Sequence, residues 1–250
     1  MADLVEKNRA YWNQISSEYQ RMHVSSLGTV DPTWGVWAVP ERELCILGDV
    51  AGKDVLEFGC GGAQWSVALA RRGARVTGLD LSSEQLRHAR EIVAAEGVSV
   101  TLVEGNAERT PFADASFDIV FCDHGAMTFA NPRKTVPEAA RILRPGGLFA
   151  FNVATPWLDA ATDRKTEKVG DQLVVDYFDM PLWTDEAGQT TFQLTYGEWI
   201  RLFRQSGLMI DDLVEIRPKE GATTTYEGYA PLEWARRYPA EHIWKLRRER

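Results

Sequence analysis

The first 154 residues alternate between short apolar runs and longer amphipathic segments. The apolar runs are rich in β-branched and aliphatic residues, as is typical of buried strands, and lie at 55–58, 75–80, 98–103, 119–122 and 148–153. The amphipathic segments have the spacing of helices with one apolar face and lie at 63–73, 82–95 and 131–143. This alternation predicts βαβ units and a parallel sheet with right-handed crossovers.

Residues 155–194 interrupt that pattern. They contain no crossover helix of the expected form, and the sequence Asp185–Gly188 between two apolar stretches predicts a hairpin turn. Because the segment follows the fifth strand, it would overhang the carboxyl edge of the sheet, where open α/β folds bind ligands. We therefore predict a substrate cap here.

The last part of the chain returns to the earlier pattern. A helix at 196–205 and a strand at 209–216 are predicted to resume the sheet, followed by a helix at 231–238 and a final edge strand at 240–248. The expected fold is therefore α/β and Rossmann-like. It is a doubly wound, mainly parallel seven-stranded sheet with helices on both faces.

The N-terminal segment adds an aromatic surface. Residues 3–21 are predicted to form a helix whose apolar stripe includes Trp12 and Tyr19. Such a helix either packs on the core or forms a lid. The loop 30–40 carries Trp34 and Trp37, which are expected either in the core or in a ligand wall, and a short helix is predicted at 41–50.

Composition narrows the class of protein. The 250 residues are 44% hydrophobic and 26% charged, which is ordinary for a globular domain. The net charge of −8 argues against a nucleic-acid or membrane-surface partner. The three cysteines have no C-x-x-C spacing, and the N-terminus lacks the apolar core of a signal peptide, so a reducing cytoplasm and no metal site are expected. The sequence gives no indication of an oligomeric state.

Candidate chemistry begins at Val55–Ala63, where a strand runs through three glycines within four positions into a helix. Glycine permits positive φ and leaves room beside the backbone, and a helix N-terminus is partly positive, so a polar ligand is expected there. Asp80 ends the next strand, where a βαβ unit places a carboxylate on a ribose diol. A nicotinamide-binding turn would have a third glycine at position 64, which is Gln64.

Four motifs in order resemble those of the class I S-adenosylmethionine-dependent methyltransferases of the small-molecule type. They cover about Val55 to Val153 and are VLEFGCGGA, GLDLS, EGNAERTPFADASFDIV and LRPGG. Ala63 stands where a third glycine is usual, and Asn106 stands where Asp is common. The Asn106 side chain keeps a carbonyl oxygen that can accept a hydrogen bond from the adenine amino group.

The resemblance implies S-adenosyl-L-methionine as cofactor and S-adenosyl-L-homocysteine as product. The residues that it places at the cofactor, running from the methionine end through ribose and adenine to the methyl group, are Glu57, Gly59, Cys60, Gly61, Asp80, Leu81, Asn106, Ala107 and Asp123. An aromatic wall would favour the sulfonium by cation–π contact, and its candidates are Tyr19 beside the cofactor and Trp12, Trp34 and Trp37 beside the substrate. Alternatively, Glu57 caps the glycine turn and Asp80 caps the next helix.

The implied activity is in-line methyl transfer to a small-molecule acceptor in a water-poor site. His124 is the candidate base, with a structural turn histidine as the alternative. The sequence lacks an Asn-Pro-Pro-aromatic turn and a Pro-Cys nucleophile, which disfavours adenine and cytosine methylation and leaves O, N or C acceptors open. An NAD-dependent oxidoreductase and a non-catalytic cofactor-binding module are the rival functions.

The resulting domain map is one methyltransferase domain over 1–250. It divides into an N-terminal helical lid and substrate-side segment at 1–50, a cofactor-binding core at 51–154, the β-hairpin cap at 155–194 and the completion of the sheet at 195–250.

Overall fold

The computed structural model describes residues 2–23, 26–180, 182–184 and 188–250. Among them, seven strands form one sheet, numbered here in chain order as β1 Asp54–Phe58, β2 Arg75–Asp80, β3 Val100–Glu104, β4 Phe117–Asp123, β5 Leu143–Ala154, β6 Leu208–Ile216 and β7 Glu241–Arg248. Their spatial order is β6-β7-β5-β4-β1-β2-β3. The five strands β1 to β5 are parallel, and β7 runs antiparallel to both of its neighbours. The predicted mainly parallel seven-stranded sheet is thus confirmed.

The predicted place of the last strand is wrong. β7 does not lie at the edge but between β5 and β6, pairing with β5 from Glu241 opposite Ala154 to Arg247 opposite Leu148. Its residues explain this position, because Ile243, Trp244 and Leu246 are fully or almost fully buried, as in a strand covered on both faces. The edge strand is β6, whose middle residues 209–212 are exposed.

The helix boundaries agree best with the predicted ones where a capping residue marks the start of the helix. Ser82 accepts from the backbone N–H of Gln85 at the start of one helix, and Thr195 forms a capping box with Glu198 at the start of another. The helices are α1 Ala2–His23, α2 Glu41–Leu44, α3 Gln64–Arg71, α4 Ser83–Glu96, α5 Gly125–Phe129, α6 Pro132–Ile142, α7 Pro156–Ala161, α8 Tyr196–Gln205 and α9 Leu232–Ala235.

Two helices are shorter than predicted. α2 stops at Leu44 because Cys45 has a left-handed φ of 52° and the buried Glu41 carboxylate accepts from the backbone N–H groups of Ile46 and Leu47. α9 covers four residues of the predicted eight.

Alternate residues of the central strands pack on opposite faces. Val120 belongs to a buried cluster with Phe149, whereas its neighbour Phe121 belongs to a second cluster with Ala150 and Leu148. A sheet that is covered on both faces is the expected doubly wound arrangement.

Two elements lie beyond the carboxyl edge of the parallel strands. Helix α1 packs along α4, and its Asn13 accepts from the Ser82 hydroxyl at 2.7 Å. In the cap segment, Leu182–Thr184 pairs antiparallel with Thr190–Phe192. The predicted turn at Asp185–Gly188 has its first three residues outside the described part of the chain. Among the described helices, none is long and apolar enough to cross a membrane.

Candidate active site

The glycine turn after β1 is closed by its own hydrogen bonds. The backbone N–H groups of Gly59 and Cys60 both donate to the Leu79 carbonyl, and the carbonyl of Cys60 accepts from Ala63. The Cys60 side chain is buried against Gly78 at the end of β2, so it packs the turn onto the sheet. The turn is therefore a rigid link between the ends of β1 and β2.

The two glycines with positive φ have different neighbours. Gly59 has a φ of 73°, and a Cβ there would lie 2.4 Å from the backbone nitrogen of Ala126. Gly61 has a φ of 51°, and the nearest atom to its Cβ position is the Gln85 side-chain oxygen at 3.8 Å. On the side where a Cβ would lie, Gly59 is in contact with the start of α5, whereas Gly61 has open space.

Ala63 also adopts a left-handed conformation, with a φ of 60°, directly before α3. An alanine in this region costs about 1–2 kcal/mol. Its methyl group is fully buried with Leu86 and Ala89, and burying one carbon is worth about 0.8 kcal/mol. The packing thus offsets much of the strain, which explains how the chain keeps alanine where glycine is usual.

Asp80 binds two backbone groups with its carboxylate. Oδ2 accepts from the N–H of Gly61 at 2.8 Å and Oδ1 accepts from the N–H of Ser82 at 2.8 Å. Burial raises the pKa of Asp80, and these backbone hydrogen bonds oppose that shift. The carboxylate is thereby held over the glycine turn, with further lone pairs on each oxygen.

Glu57 is a buried acid under the same turn. Its Oε2 accepts from the Ser66 backbone N–H at 3.0 Å and from the Ser66 hydroxyl at 2.6 Å, so it supports the first turn of α3. Burial raises the pKa of Glu57 to about 8; the bonds to Ser66 lower it, and the charges of Asp123 and Asp80 add to the rise. A cation placed beside this group would lower that pKa.

The predicted adenine-side residues lie at the ends of β2 and β3. Asn106 uses its side-chain oxygen in a turn, accepting from the Glu108 N–H at 2.8 Å, and Ala107 is buried in the core. The Leu81 carbonyl accepts from Arg9 of α1 at 3.2 Å. The Asn106 amide nitrogen and the second lone pair of its oxygen are the groups left for a ligand.

A network of polar side chains lies at the carboxyl ends of β4 and β5 and at the amino end of the antiparallel β7. Asn152 of β5 donates to Asp123 Oδ1 at 2.8 Å and to Glu241 Oε1 at 3.0 Å. Asp123 also accepts from the N–H of Gly35, and Glu241 accepts from the N–H of Val36. Burial raises the pKa of Asp123 to about 6, and its charged neighbour His124 opposes the rise. The loop 30–40 is thus anchored on two carboxylates.

His124 completes this network. Its Nε2 lies 2.7 Å from Glu241 Oε1, and its backbone has a φ of 57° and a ψ of −83°, the strained conformation of a γ-turn. Glu241 already accepts from backbone and amide N–H groups, so it bonds His124 as an acceptor and the imidazole carries its hydrogen on Nε2. The neutral ring therefore has its free lone pair on Nδ1, whose nearest recorded partner is Thr128 Oγ1 at 3.5 Å.

The contacts with Glu241 and Asp123 also set the pKa of His124. Burial on its own lowers the pKa of His124, but the hydrogen bond and charge of Glu241, with the charge of Asp123, raise it above its ordinary value. A raised pKa makes the ring a stronger base than free imidazole.

The tryptophans predicted to form an aromatic wall do not all lie at the site. Trp34 is fully buried, packs on Trp65 and Phe121, and donates to Glu41, so it is a core residue and not a wall. Trp12 packs edge-on against Tyr19 and Phe129. Trp37 is almost fully buried, and its indole nitrogen has no partner among the described residues.

Tyr19 belongs to α1 and connects this helix to the rest of the site. Its hydroxyl bonds that of Tyr226 at 2.9 Å. Burial raises the pKa of Tyr19 to about 12, the hydrogen bond to Tyr226 lowers it, and the charges of Asp123 and Asp80 add to the rise. The neighbouring Gln20 bonds Gln64 and Gln85 on either side of the turn. Helix α1 therefore covers the carboxyl edge.

The cap segment lines one groove and contributes to one buried apolar cluster. Its Phe178 and Leu182 line a groove of about 300 Å³ with Leu4 and Glu108, on the adenine side rather than beside His124. Its helix α7 supplies Leu158 to an apolar cluster that also holds Val36 and Trp37. Of the elements described in the cap segment, α7 thus packs with the loop that the polar network anchors.

Sequence reasoning missed four residues of this site, namely Asn152, Glu241, Tyr226 and Tyr229. Glu241 was not identified because β7 was expected at the sheet edge, far from His124. Tyr226 and Tyr229 lie between β6 and β7 in the loop 217–231, which has no periodic pattern. The Gly-rich and aromatic composition of that loop was the available signal. Among the described residues, no group of three or more His, Cys, Asp or Glu is arranged to hold a metal ion.

Comparison with known proteins supports the sequence resemblance. A family model described as a methyltransferase domain matches residues 56–151. The chain is 39% identical over 109 residues to a ubiquinone biosynthesis O-methyltransferase of Photorhabdus laumondii, covering 42% of the chain and 44% of that protein. It is 32% identical over 149 residues to a demethylmenaquinone methyltransferase of Listeria monocytogenes, covering 58% of the chain and 61% of that protein.

These matches span about half the length of the curated relatives. The fold extends further: a crystal structure titled as a putative S-adenosylmethionine dependent methyltransferase from Listeria monocytogenes aligns over 84% of this chain and 98% of its own. The TM-score is 0.69 at 21% identity, which establishes the shared fold. The matched family model and both relatives are described as methyltransferases.

Proposed function

We propose that this chain, a class I S-adenosylmethionine-dependent methyltransferase by its core at residues 56–151, methylates a hydroxyl group of a small organic molecule. The observation that carries the proposal is the meeting of three features at one sheet edge. These are the glycine turn, the Asp80 carboxylate and the pair of His124 with Glu241.

The residues at this edge fit a cationic nucleoside cofactor. Glu57, Asp80 and Asp123 are acids with raised pKa values, and a ligand that carries an ammonium and a sulfonium group offsets their mutual repulsion. Gly61 leaves space on the face of the turn that looks toward Gln85. Asp80 and the Asn106 amide would hold the nucleoside, and Glu57 and Asp123 would favour the charged end.

Bound S-adenosylmethionine would supply an electrophilic methyl group and leave as neutral S-adenosylhomocysteine thioether, which keeps the carbon–sulfur electron pair. His124 Nδ1 would take the proton that the acceptor hydroxyl loses, and Glu241 would stabilise the resulting imidazolium. Helix α1 would exclude water, because Tyr19 and Gln20 span the edge above the turn.

Replacing Asp80 tests the proposed cofactor site. We expect Asp80→Ala to weaken binding of S-adenosylmethionine at least 100-fold by calorimetry, because each hydrogen bond to a charged group is worth about 1.5–3 kcal/mol. Asp118→Ala is the matched control, since Asp118 also accepts a backbone N–H, that of Asp54, but at the opposite edge of the sheet. Circular dichroism verifies that both variants fold.

If a folded Asp80→Ala variant bound S-adenosylmethionine with unchanged affinity, the proposed cofactor site would be wrong. Methyl transfer from labelled cofactor to a library of small hydroxylated compounds then separates an enzyme from a non-catalytic binding module. Mass spectrometry of the product distinguishes an oxygen-linked methyl group from a carbon- or nitrogen-linked one.

Cofactor binding should also release protons. At pH 7 the Glu57 carboxyl, with a pKa of about 8, is mostly protonated, and a neighbouring cation would lower that pKa and drive the proton off. We expect the calorimetric heat of binding to differ between phosphate and Tris buffers. The difference, divided by the difference between the ionisation enthalpies of the two buffers, should correspond to roughly half a proton or more released per cofactor bound. Glu57→Gln keeps the acceptor for Ser66 and should abolish most of the difference; equal heats for the unmodified protein would contradict the prediction.

A further inference from the structure

The buried side chains of helix α1 between residues 4 and 23 are all polar. They are Asn8, Ser16 and His23. Within the part of the chain that the structure describes, the buried apolar clusters around the sheet include no residue of α1. A segment with few buried apolar contacts opens at a lower free energy than the core does. Helix α1 is therefore a cover whose docking depends on hydrogen bonds.

Asn8 makes three hydrogen bonds to the backbone of two other elements. Its Nδ2 donates to the carbonyl of Phe129 at 2.6 Å and to the carbonyl of Thr190 at 3.0 Å. Its Oδ1 accepts from the N–H of Thr190 at 2.9 Å. The amide thus pairs with Thr190 as a neighbouring strand would. One buried side chain therefore joins α1 to the end of α5 and to the cap segment.

Thr190 is an anchor of the cap hairpin, which is the pair of strands Leu182–Thr184 and Thr190–Phe192. It is fully buried, and its hydroxyl bonds that of Thr184 at 2.9 Å across the hairpin. The hairpin also packs against α5, and His124 lies directly before the first residue of that helix. The bonds of Asn8 therefore influence where the cap hairpin lies relative to the proposed base.

The rest of α1 contacts the proposed cofactor site. Asn13 accepts from the hydroxyl of Ser82, the residue whose N–H donates to Asp80. Gln20 bonds Gln64 and Gln85 on either side of the glycine turn. A cofactor bound at this turn would be covered by α1 and would favour the docked helix, because a ligand stabilises the form that it binds more tightly.

Resting on the proposed function, we infer that Asn8 is a positioning residue that couples cofactor binding under α1 to closure of the cap hairpin. The cofactor holds α1 in place, and Asn8 holds Thr190 and the hairpin against α1 and α5. Without the Asn8 amide, the N–H and carbonyl of Thr190 lose their partner, and the hairpin opens independently of α1. The acceptor is therefore enclosed only after the cofactor is bound.

Amide hydrogen exchange of the cap hairpin tests this coupling without an acceptor. The full chain is compared with and without S-adenosylhomocysteine, whose affinity is first measured by calorimetry, and exchange is followed by mass spectrometry of peptides that cover residues 188–194. At a concentration of about 100 times its Kd, a ligand suppresses an opening that releases it by up to about 100-fold. We expect exchange in these peptides to slow by at least about tenfold.

Asn8→Ala and Asn8→Leu both remove the three hydrogen bonds, and leucine nearly keeps the volume of the side chain. In each variant S-adenosylhomocysteine should slow exchange of the hairpin less than about twofold, at an affinity within about fivefold of the unmodified protein. A merely structural role of Asn8 would speed exchange with and without the ligand alike and leave their ratio unchanged. The control is Ser17→Ala, which removes a contact of α1 with His88 of α4 and should keep the response.

Three results would overturn the coupling. They are bound S-adenosylhomocysteine that leaves hairpin exchange in the unmodified protein unchanged, a full response in either Asn8 variant, and a response that Ser17→Ala also abolishes. The first of these needs no variant, so the test stands even where a substitution prevents folding. Failure of S-adenosylhomocysteine to bind in the calorimeter would instead refute the proposed function.

Discussion

Gly59→Ala is expected to prevent the chain from reaching its native fold. The new methyl group would lie 2.4 Å from the backbone nitrogen of Ala126 and 3.0 Å from Gly125, so the start of α5 would have to move away from β1. Alanine would also keep a φ of 73°, at about 1–2 kcal/mol. We expect a total loss of at least about 4 kcal/mol, which approaches the whole unfolding free energy of a marginally stable domain, about 5 kcal/mol.

Gly61→Ala is the matched control two positions away. It carries the same kind of φ penalty, but the nearest atom to its Cβ position lies 3.8 Å away. Its loss of unfolding free energy should be only about 1 kcal/mol. Circular dichroism shows whether each variant folds, and urea denaturation measures the loss of unfolding free energy in any variant that does.

The same pair separates folding from binding. The Gly61→Ala methyl group would enter the space proposed for the cofactor, so we expect a folded protein that binds S-adenosylmethionine at least tenfold more weakly. A native Gly59→Ala protein would show that the turn after β1 and the start of α5 do not pack as described. A Gly61→Ala protein with full affinity would place the cofactor elsewhere.

The sequence predicted this half of the site because its signals are local. Strand periodicity located β1 and β2, glycine marked the turn between β1 and α3, and Asp80 ended a strand that parallel pairing brings beside that turn. Capping residues such as Ser82 and Thr195 fixed helix ends. These features depend on neighbours within a few positions, so a linear pattern contains them.

The other half depends on strand order, which periodicity does not encode. Glu241 reaches His124 across 117 positions only because β7 inserts between β5 and β6. The burial of Trp34 was equally hidden, since it depends on the buried Glu41 carboxylate that accepts its indole N–H. An irregular loop with two indoles did not reveal that both are buried, Trp34 and Trp37 lying in different apolar clusters.

His124→Asn is expected to lower turnover at least 100-fold at nearly unchanged affinity for S-adenosylmethionine. Asparagine tolerates the positive φ of 57° at this position, but it cannot take a proton from the acceptor. His124→Ala should have the same effect on turnover. Full activity in either folded variant would identify His124 as a structural turn residue.

The pH dependence of turnover provides an independent check on the role of Glu241. The base must be neutral to accept a proton, so the rate should fall as the pH drops through the pKa of His124, which Glu241 and Asp123 hold above its ordinary value of 6.5. Glu241→Gln removes the stabilising charge and should move this acid inflection to lower pH, while reducing the maximal rate. Asn152 also contacts Glu241, so Asn152→Ala is a useful comparison that disturbs the network and keeps the carboxylate. An inflection that stays in place in Glu241→Gln would mean that the titrating group is not the imidazole paired with Glu241.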